Sequence, residues 1–142
     1  MTLFASDNVL VPIDFSEQAD HALENALTSF GDATKIHAIH VLPALEPTQL
    51  GMVWQMVDDQ TRTQHIETLF HEKFSGEAYQ QVKFSVMVGN PSSEIIDYAE
   101  GNQIDLIVIS SHGRTGLSRF LLGSVAERIV RFATCPVLVL RR

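Results

Sequence analysis

An α/β fold is predicted: a single-domain, open, mainly parallel five-stranded sheet with helices on both faces (Rossmann-like). Three observations predict it. Short apolar runs such as Val9-Leu10-Val11-Pro12-Ile13 and Leu106-Ile107-Val108-Ile109 have the character of strands buried on both faces. Segments with apolar residues at helical spacing lie between the runs. The alternation continues to the end of the chain with no linker, internal repeat or low-complexity tract, so residues 1–142 read as one domain.

The first strand is Val9 to Ile13. Ala19, Ala22, Leu23, Ala26, Leu27 and Phe30 then fall on one helical face, and Gly31 follows as a stop signal. Ile36 to Leu42 is the second strand. A loop with Pro43 and Pro47 leads into a helix from about Met52 to Phe74, with Met56, Ile66, Leu69, Phe70 and Phe74 inward. Val82 to Val88 alternates as a third strand. Asn90-Pro91 reads as N-cap and first helical position of a helix that turns Ile95, Ile96 and Ala99 inward. Leu106 to Ile109 is strand four, Ser124 to Ala133 helix four, and Pro136 to Leu140 strand five.

With 45% hydrophobic and 19% charged residues, the chain is ordered rather than disordered. Its net charge of −7 argues against nucleic-acid binding, which needs a basic footprint. No apolar stretch approaches the roughly 18 residues of a membrane span. The opening Met1-Thr2-Leu3-Phe4-Ala5-Ser6-Asp7-Asn8 lacks a basic segment followed by an apolar one, so no signal peptide is expected. A lone cysteine, Cys135, forms no internal disulfide and reads as a small core residue. These features together predict a cytoplasmic protein with neither a nucleic-acid nor a membrane partner.

In open sheets of this kind ligands gather beyond the carboxyl ends of strands, where the winding reverses. The loops after Ile13, Val41 and Ile109 leave such ends. The third runs Gly113-Arg114-Thr115-Gly116-Leu117-Ser118-Arg119-Phe120-Leu121-Leu122-Gly123-Ser124 into a helix. The amides of Gly123, Ser124 and Val125 at that helix start are expected as free donors to a phosphate. Two plainer readings stand beside this one. Ser124-Val125-Ala126-Glu127 matches a capping box, and Gly113 and Gly116 suit ordinary turns.

Asp14 is either an acceptor for ribose hydroxyls or the N-cap of the first helix. His112 either donates to phosphate or fixes its own loop. Arg114 and Arg119 read as solvated. The interval is not a P-loop, because no Gly-Lys-Ser/Thr closes it. The six histidines make no metal site. His37 and His40 fall on opposite faces of a strand, and His65 and His71 lie over 100° apart on a helix by its step of about 100° per residue.

Taken together, Val11-Pro12-Ile13-Asp14-Phe15-Ser16, His40-Val41, Val88-Gly89-Asn90-Pro91, Ser110-Ser111-His112-Gly113 through Gly123-Ser124, and Cys135-Pro136-Val137-Leu138-Val139 resemble the universal stress protein family over nearly the whole chain. The family's nucleotide-binding branch carries Gly-x-x-Gly-x9-Gly-Ser/Thr. Here Gly113, nine residues, and Gly123-Ser124 match its second half, while Ser110 stands at the first glycine.

The resemblance implies a regulatory stress-response protein that binds ATP, or ADP or AMP, with magnesium as a possible companion. It implies that Pro12 and Val41 border adenine, Val41 through its backbone, and that Asp14 holds the ribose. Gly113, Gly123, Ser124 and Val125 would take the phosphates, with Ser110, His112 and Gly116 completing the candidate site. Should position 110 require φ > 0, serine there costs roughly 1 kcal/mol or more.

The resemblance also implies a homodimer through strand Val137–Leu140, which is apolar on both faces yet last in order and so expected at the sheet edge. The alternatives are a slow ATPase or phosphotransferase, or a family member that has lost strong ATP binding. A phosphoacceptor receiver domain is disfavoured, since it needs an acidic pair after strand one and an aspartate after strand three, where this chain has Asp14-Phe15 and Gly89.

Overall fold

The computed structural model describes residues 6–44, 52–112 and 122–141, with the side chains of 52–57 outside that description. The elements are β1 (Val9–Pro12), α1 (Glu17–Phe30), β2 (Ile36–Leu42), α2 (Met52–Lys73), β3 (Lys83–Val88), α3 (Pro91–Gly101), β4 (Leu106–Ser110), α4 (Ser124–Phe132) and β5 (Val137–Leu140). The five strands form one sheet in the order β3-β2-β1-β4-β5, and every pair is parallel. The chain winds one way from β1 to β3, then crosses back to β4 and β5. The reversal lies between β1 and β4.

Strand alternation sorts the core into two layers. Val9, Val11, Ile36, Ala38, Leu106 and Val108 pack with Leu23 of α1 and Phe70 of α2. Leu10, Ile39, Ile107 and Ile109 pack with Ile95 of α3 and with Ala126 and Ile129 of α4. Both layers are closed around β1 and β4, whose residues are all buried, while β5 is half-buried at the edge. At the other edge Phe70 stacks on Phe84 of β3, with ring centroids 4.0 Å apart. Met56, expected inward on α2, lies outside the described side chains; Ile66 and Leu69 are half-buried, and Phe74 is buried.

The helix ends follow local chemistry in part. Gly31 takes the left-handed conformation (φ 68°) and returns its N–H to the Leu27 carbonyl, as the stop signal predicts. Asn90 caps α3 through Ser93 N, with Pro91 at the first position. Two expectations are overturned. Ser16 rather than Asp14 is the N-cap of α1, its Oγ accepting from Ala19 N at 3.2 Å. Ser124 does not cap α4: the N-cap is Gly123, with no side-chain bond, and the capping-box partner Glu127 pairs with Arg131 instead.

The histidines of β2 do fall on opposite faces. Buried His37 meets the Tyr98 hydroxyl of α3 at 2.7 Å through Nδ1, while His40 Nδ1 donates to the Ile13 carbonyl at 2.7 Å. Burial, with Lys83 beside it, pushes the His37 imidazole below its ordinary 6.5. Burial likewise raises the thiol of Cys135, which is half-buried.

Two predictions concern this core. Phe70→Ala removes a side chain that is 1% exposed and joins α2 to β3, and should cost about 3–5 kcal/mol in urea unfolding. For His37, the unfolded chain binds a proton more readily than the folded one, so its contribution is complete above the unfolded value and declines as pH falls through 6.5. Stability measured between about pH 7.5 and about pH 5.5 should therefore fall less in His37→Gln than in the parent chain.

Candidate functional site

A missing donor opens the sheet at the winding reversal. Along β1, Ile13 N donates to the Ile39 carbonyl at 2.8 Å, so residues 11 and 13 turn their backbone groups toward β2. Residues 10 and 12 then turn toward β4. Residue 12 is proline and has no N–H to give. The β1–β4 register accordingly stops at Val9↔Leu106 and Leu10↔Ile107, while β1–β2 continues to Pro12↔Ile39. Beyond that last rung lies a cavity of about 260 Å³, bounded by the carboxyl ends of β1, β2 and β4 and the first turns of α3 and α4.

Of the residues singled out from the sequence, Pro12, Asp14, Val41, Ser110, Gly123, Ser124 and Val125 are brought together on this wall. Val41 carries the most specific feature. Its backbone groups face the same way as those of Ile39, toward β1, but β1 has ended and Ile13 N is already bonded to Ile39. An amide donor and a carbonyl acceptor thus face the cavity's edge with no ladder partner among the described residues. That pair suits the edge of a planar heterocycle.

At the opposite wall α4 begins. Gly123 N is not a free donor, contrary to expectation: it donates to the Ser111 carbonyl at 2.8 Å. The first intrahelical bond of α4 is Glu127 N to the Gly123 carbonyl, also at 2.8 Å, so the amides of Ser124, Val125 and Ala126 have no helical acceptor. They and the helix dipole favour an anion. Glycine at 123 is favoured by crowding rather than by φ, which is −60°. A Cβ there would sit 3.0 Å from the Ser111 carbonyl oxygen.

Ser110 closes β4 in extended conformation, and its Oγ donates to the His112 carbonyl at 3.0 Å. Serine therefore carries no left-handed strain here, and the cost foreseen for φ > 0 does not arise. His112 does not reach the cavity wall; its Nδ1 meets Ser111 Oγ at 3.0 Å, which fits the loop-fixing reading. Gly113 and Gly116, with Arg114 and Arg119, lie outside the described residues.

Asp14 Oδ1 accepts from Ser16 N at 3.0 Å in a tight side-chain turn. The next residue, Phe15, has φ 62°, a left-handed backbone that costs a bulky side chain roughly 1–2 kcal/mol. Sequence reasoning missed several wall residues, notably Ile13, Ile39, Pro91, Ile95 and Ser111. Only Pro91 had a local signal, as the first residue of the helix that ends up facing α4. Ile39 and Ile95 look like any other core positions.

Known proteins share this fold. The sequence model of the universal stress protein family matches residues 5–141. Universal stress protein MJ0531 of Methanocaldococcus jannaschii is 33% identical over 139 residues, covering 94% of this chain and 81% of its own length. Universal stress protein MJ0577 of the same organism is 30% identical, with 94% of each chain covered. The solved structure of MJ0577 superposes with a TM-score of 0.82 over 96% of each chain. Two more distant structures share the fold. One is a universal stress protein in complex with cAMP (18% identical, TM-score 0.63, 96% of this chain and 97% of the other). The other is an Arabidopsis thaliana family protein with AMP bound (19%, 0.61, 94% and 90%). The chain belongs to the universal stress protein family.

Proposed function

We propose that this protein binds an adenine nucleotide, ATP among them, in the cleft at the β1–β4 reversal, and that it acts as a cytoplasmic stress-response regulator through that occupancy. The observation that carries the reading is the backbone edge of Val41, without a ladder partner among the described residues, set on one cavity wall with the first-turn amides of α4, which have no helical acceptor. The first suits the base and the second the phosphates. Asp14, which also lines the wall, would accept from ribose hydroxyls. Family proteins of the same fold held cAMP and AMP, which supports the nucleotide class. Gly113 and Gly116 join the proposal from the sequence motif alone. Magnesium would accompany the phosphates.

Catalysis is the weaker reading. Phosphoryl transfer calls for metal-holding carboxylates and a group to orient the nucleophile. Asp14 is the one carboxylate on the described cavity wall. ATP hydrolysis abolished by Gly123→Val would promote a slow ATPase; hydrolysis that survives it would indicate a contaminant.

Titration calorimetry tests the binding. ATP, ADP or AMP should give saturable heat, and Gly123→Val, which forces a side chain against the Ser111 carbonyl, should weaken it at least about tenfold. No heat with any of the three at millimolar concentration sinks the reading.

We also propose a homodimer through β5. The strand is half-buried, stands at the sheet edge, and can pair with its copy about a twofold axis. Light scattering at high micromolar concentration should give twice the chain mass, and Val139→Lys, which sets a charge in that edge, should give the monomer. A monomeric parent chain removes the proposal.

A further inference from the structure

The loop between β1 and α1 carries Asp14 through a conformation that its own residues do not favour. Phe15 is left-handed at φ 62°, and such backbone persists only where surrounding contacts over-determine it. Those contacts come from distant elements. Lys73, the last residue of α2 and 58 positions along the chain, donates from Nζ to the Phe15 carbonyl at 3.3 Å. Its ammonium also lies over the Phe15 ring, 5.7 Å from the centroid. The same ammonium pairs with Asp20 Oδ2 in the first turn of α1. His40 packs its ring on Phe15 at 5.1 Å and donates to the Ile13 carbonyl. A carbonyl only accepts, so Nδ1 carries the proton there. The carbonyls of Ile13 and Phe15, the residues flanking Asp14, are thus each bonded by a side chain from another element.

Lys73 differs from a solvated surface lysine in one respect. Although its own side chain is 39% exposed, its partner Asp20 is 17% exposed, and Asp20 Oδ1 is buried with no hydrogen-bond partner among the described residues. The carboxylate is therefore committed to Lys73, and the ammonium is fixed in turn. Lys73 does not itself line the cavity.

We propose that Lys73 is a positioning residue for the nucleotide site, holding the Phe15 carbonyl in the left-handed turn so that Asp14 stays on the cleft wall where the ribose is bound. This rests on the reading of the cleft as an adenine-nucleotide site. Its effect is specific to the ribose, because the base edge at Val41 and the amides of α4 belong to other segments.

The test compares ADP with 2′,3′-dideoxy-ADP by titration calorimetry on the full chain. Lys73→Met keeps an unbranched side chain of similar length and removes the donor. Lys73→Met with Asp20→Asn serves if the half-buried carboxylate, left without its partner, prevents the single variant from folding. ADP affinity should fall about five- to tenfold, while dideoxy-ADP, which has no hydroxyl for Asp14, should change by less than about twofold. Equal loss for both ligands, or loss for neither, overturns the proposal.

Hydrogen exchange at the Ser16 amide, bonded to Asp14 Oδ1, gives a readout without nucleotide. It should run about tenfold faster in the variant, and unchanged exchange overturns the clamp. If the parent chain binds neither nucleotide, the functional reading falls and Ser16 exchange alone decides the role of Lys73.

Discussion

A missing N–H at Pro12 sets where the sheet parts. In a parallel ladder alternate residues serve the two neighbouring strands, and Pro12 falls on the side of β4. Strands β1 and β4, buried throughout and paired at their amino ends, therefore separate at their carboxyl ends. Among the described residues Val41 is left without a ladder partner because β1 has stopped, and α4 starts beyond the end of β4, tied to it by the bond from Gly123 N to the Ser111 carbonyl. Had residue 12 been able to donate, the ladder would have run on into the space the cleft occupies.

The site that results is built largely from backbone. Val41 offers a main-chain donor and acceptor, and α4 offers main-chain amides. An acidic chain with net charge −7 can bind an anion on these terms, since local oriented dipoles rather than overall charge face the ligand. Backbone construction also explains which glycine matters. Gly123 must let its own backbone pass against the Ser111 carbonyl, a contact that anchors the start of α4. Position 110 is an ordinary strand residue, so serine serves there without distorting the chain.

Much of the fold was legible because its signals are local. Apolar runs gave the strands, a 3.6-residue period gave the buried faces of α1 and α3, and Asn90-Pro91 and Gly31 marked their own helix ends. The boundaries moved by a residue or two where pairing rather than composition ends a strand. Part of the site was legible for the same reason: a loop at a strand's carboxyl end in an alternating α/β chain is a place where ligands bind. Only the family resemblance joined Asp14, Val41 and Gly123 into one cleft.

What stayed hidden depends on contacts between segments far apart in sequence. Local sequence makes Asp14 a cap candidate for α1, and the choice of Ser16 instead follows from a left-handed Phe15 that Lys73 and His40 contact from other elements. Ser124-Val125-Ala126-Glu127 fits a capping box, yet the bond from Gly123 N to Ser111 starts the helix one residue earlier in its register. Periodicity and turn chemistry are properties of a short stretch of chain, so the sequence carries them openly. Close approach, the end of a ladder and the commitment of one donor to one acceptor exist only once distant segments are packed together.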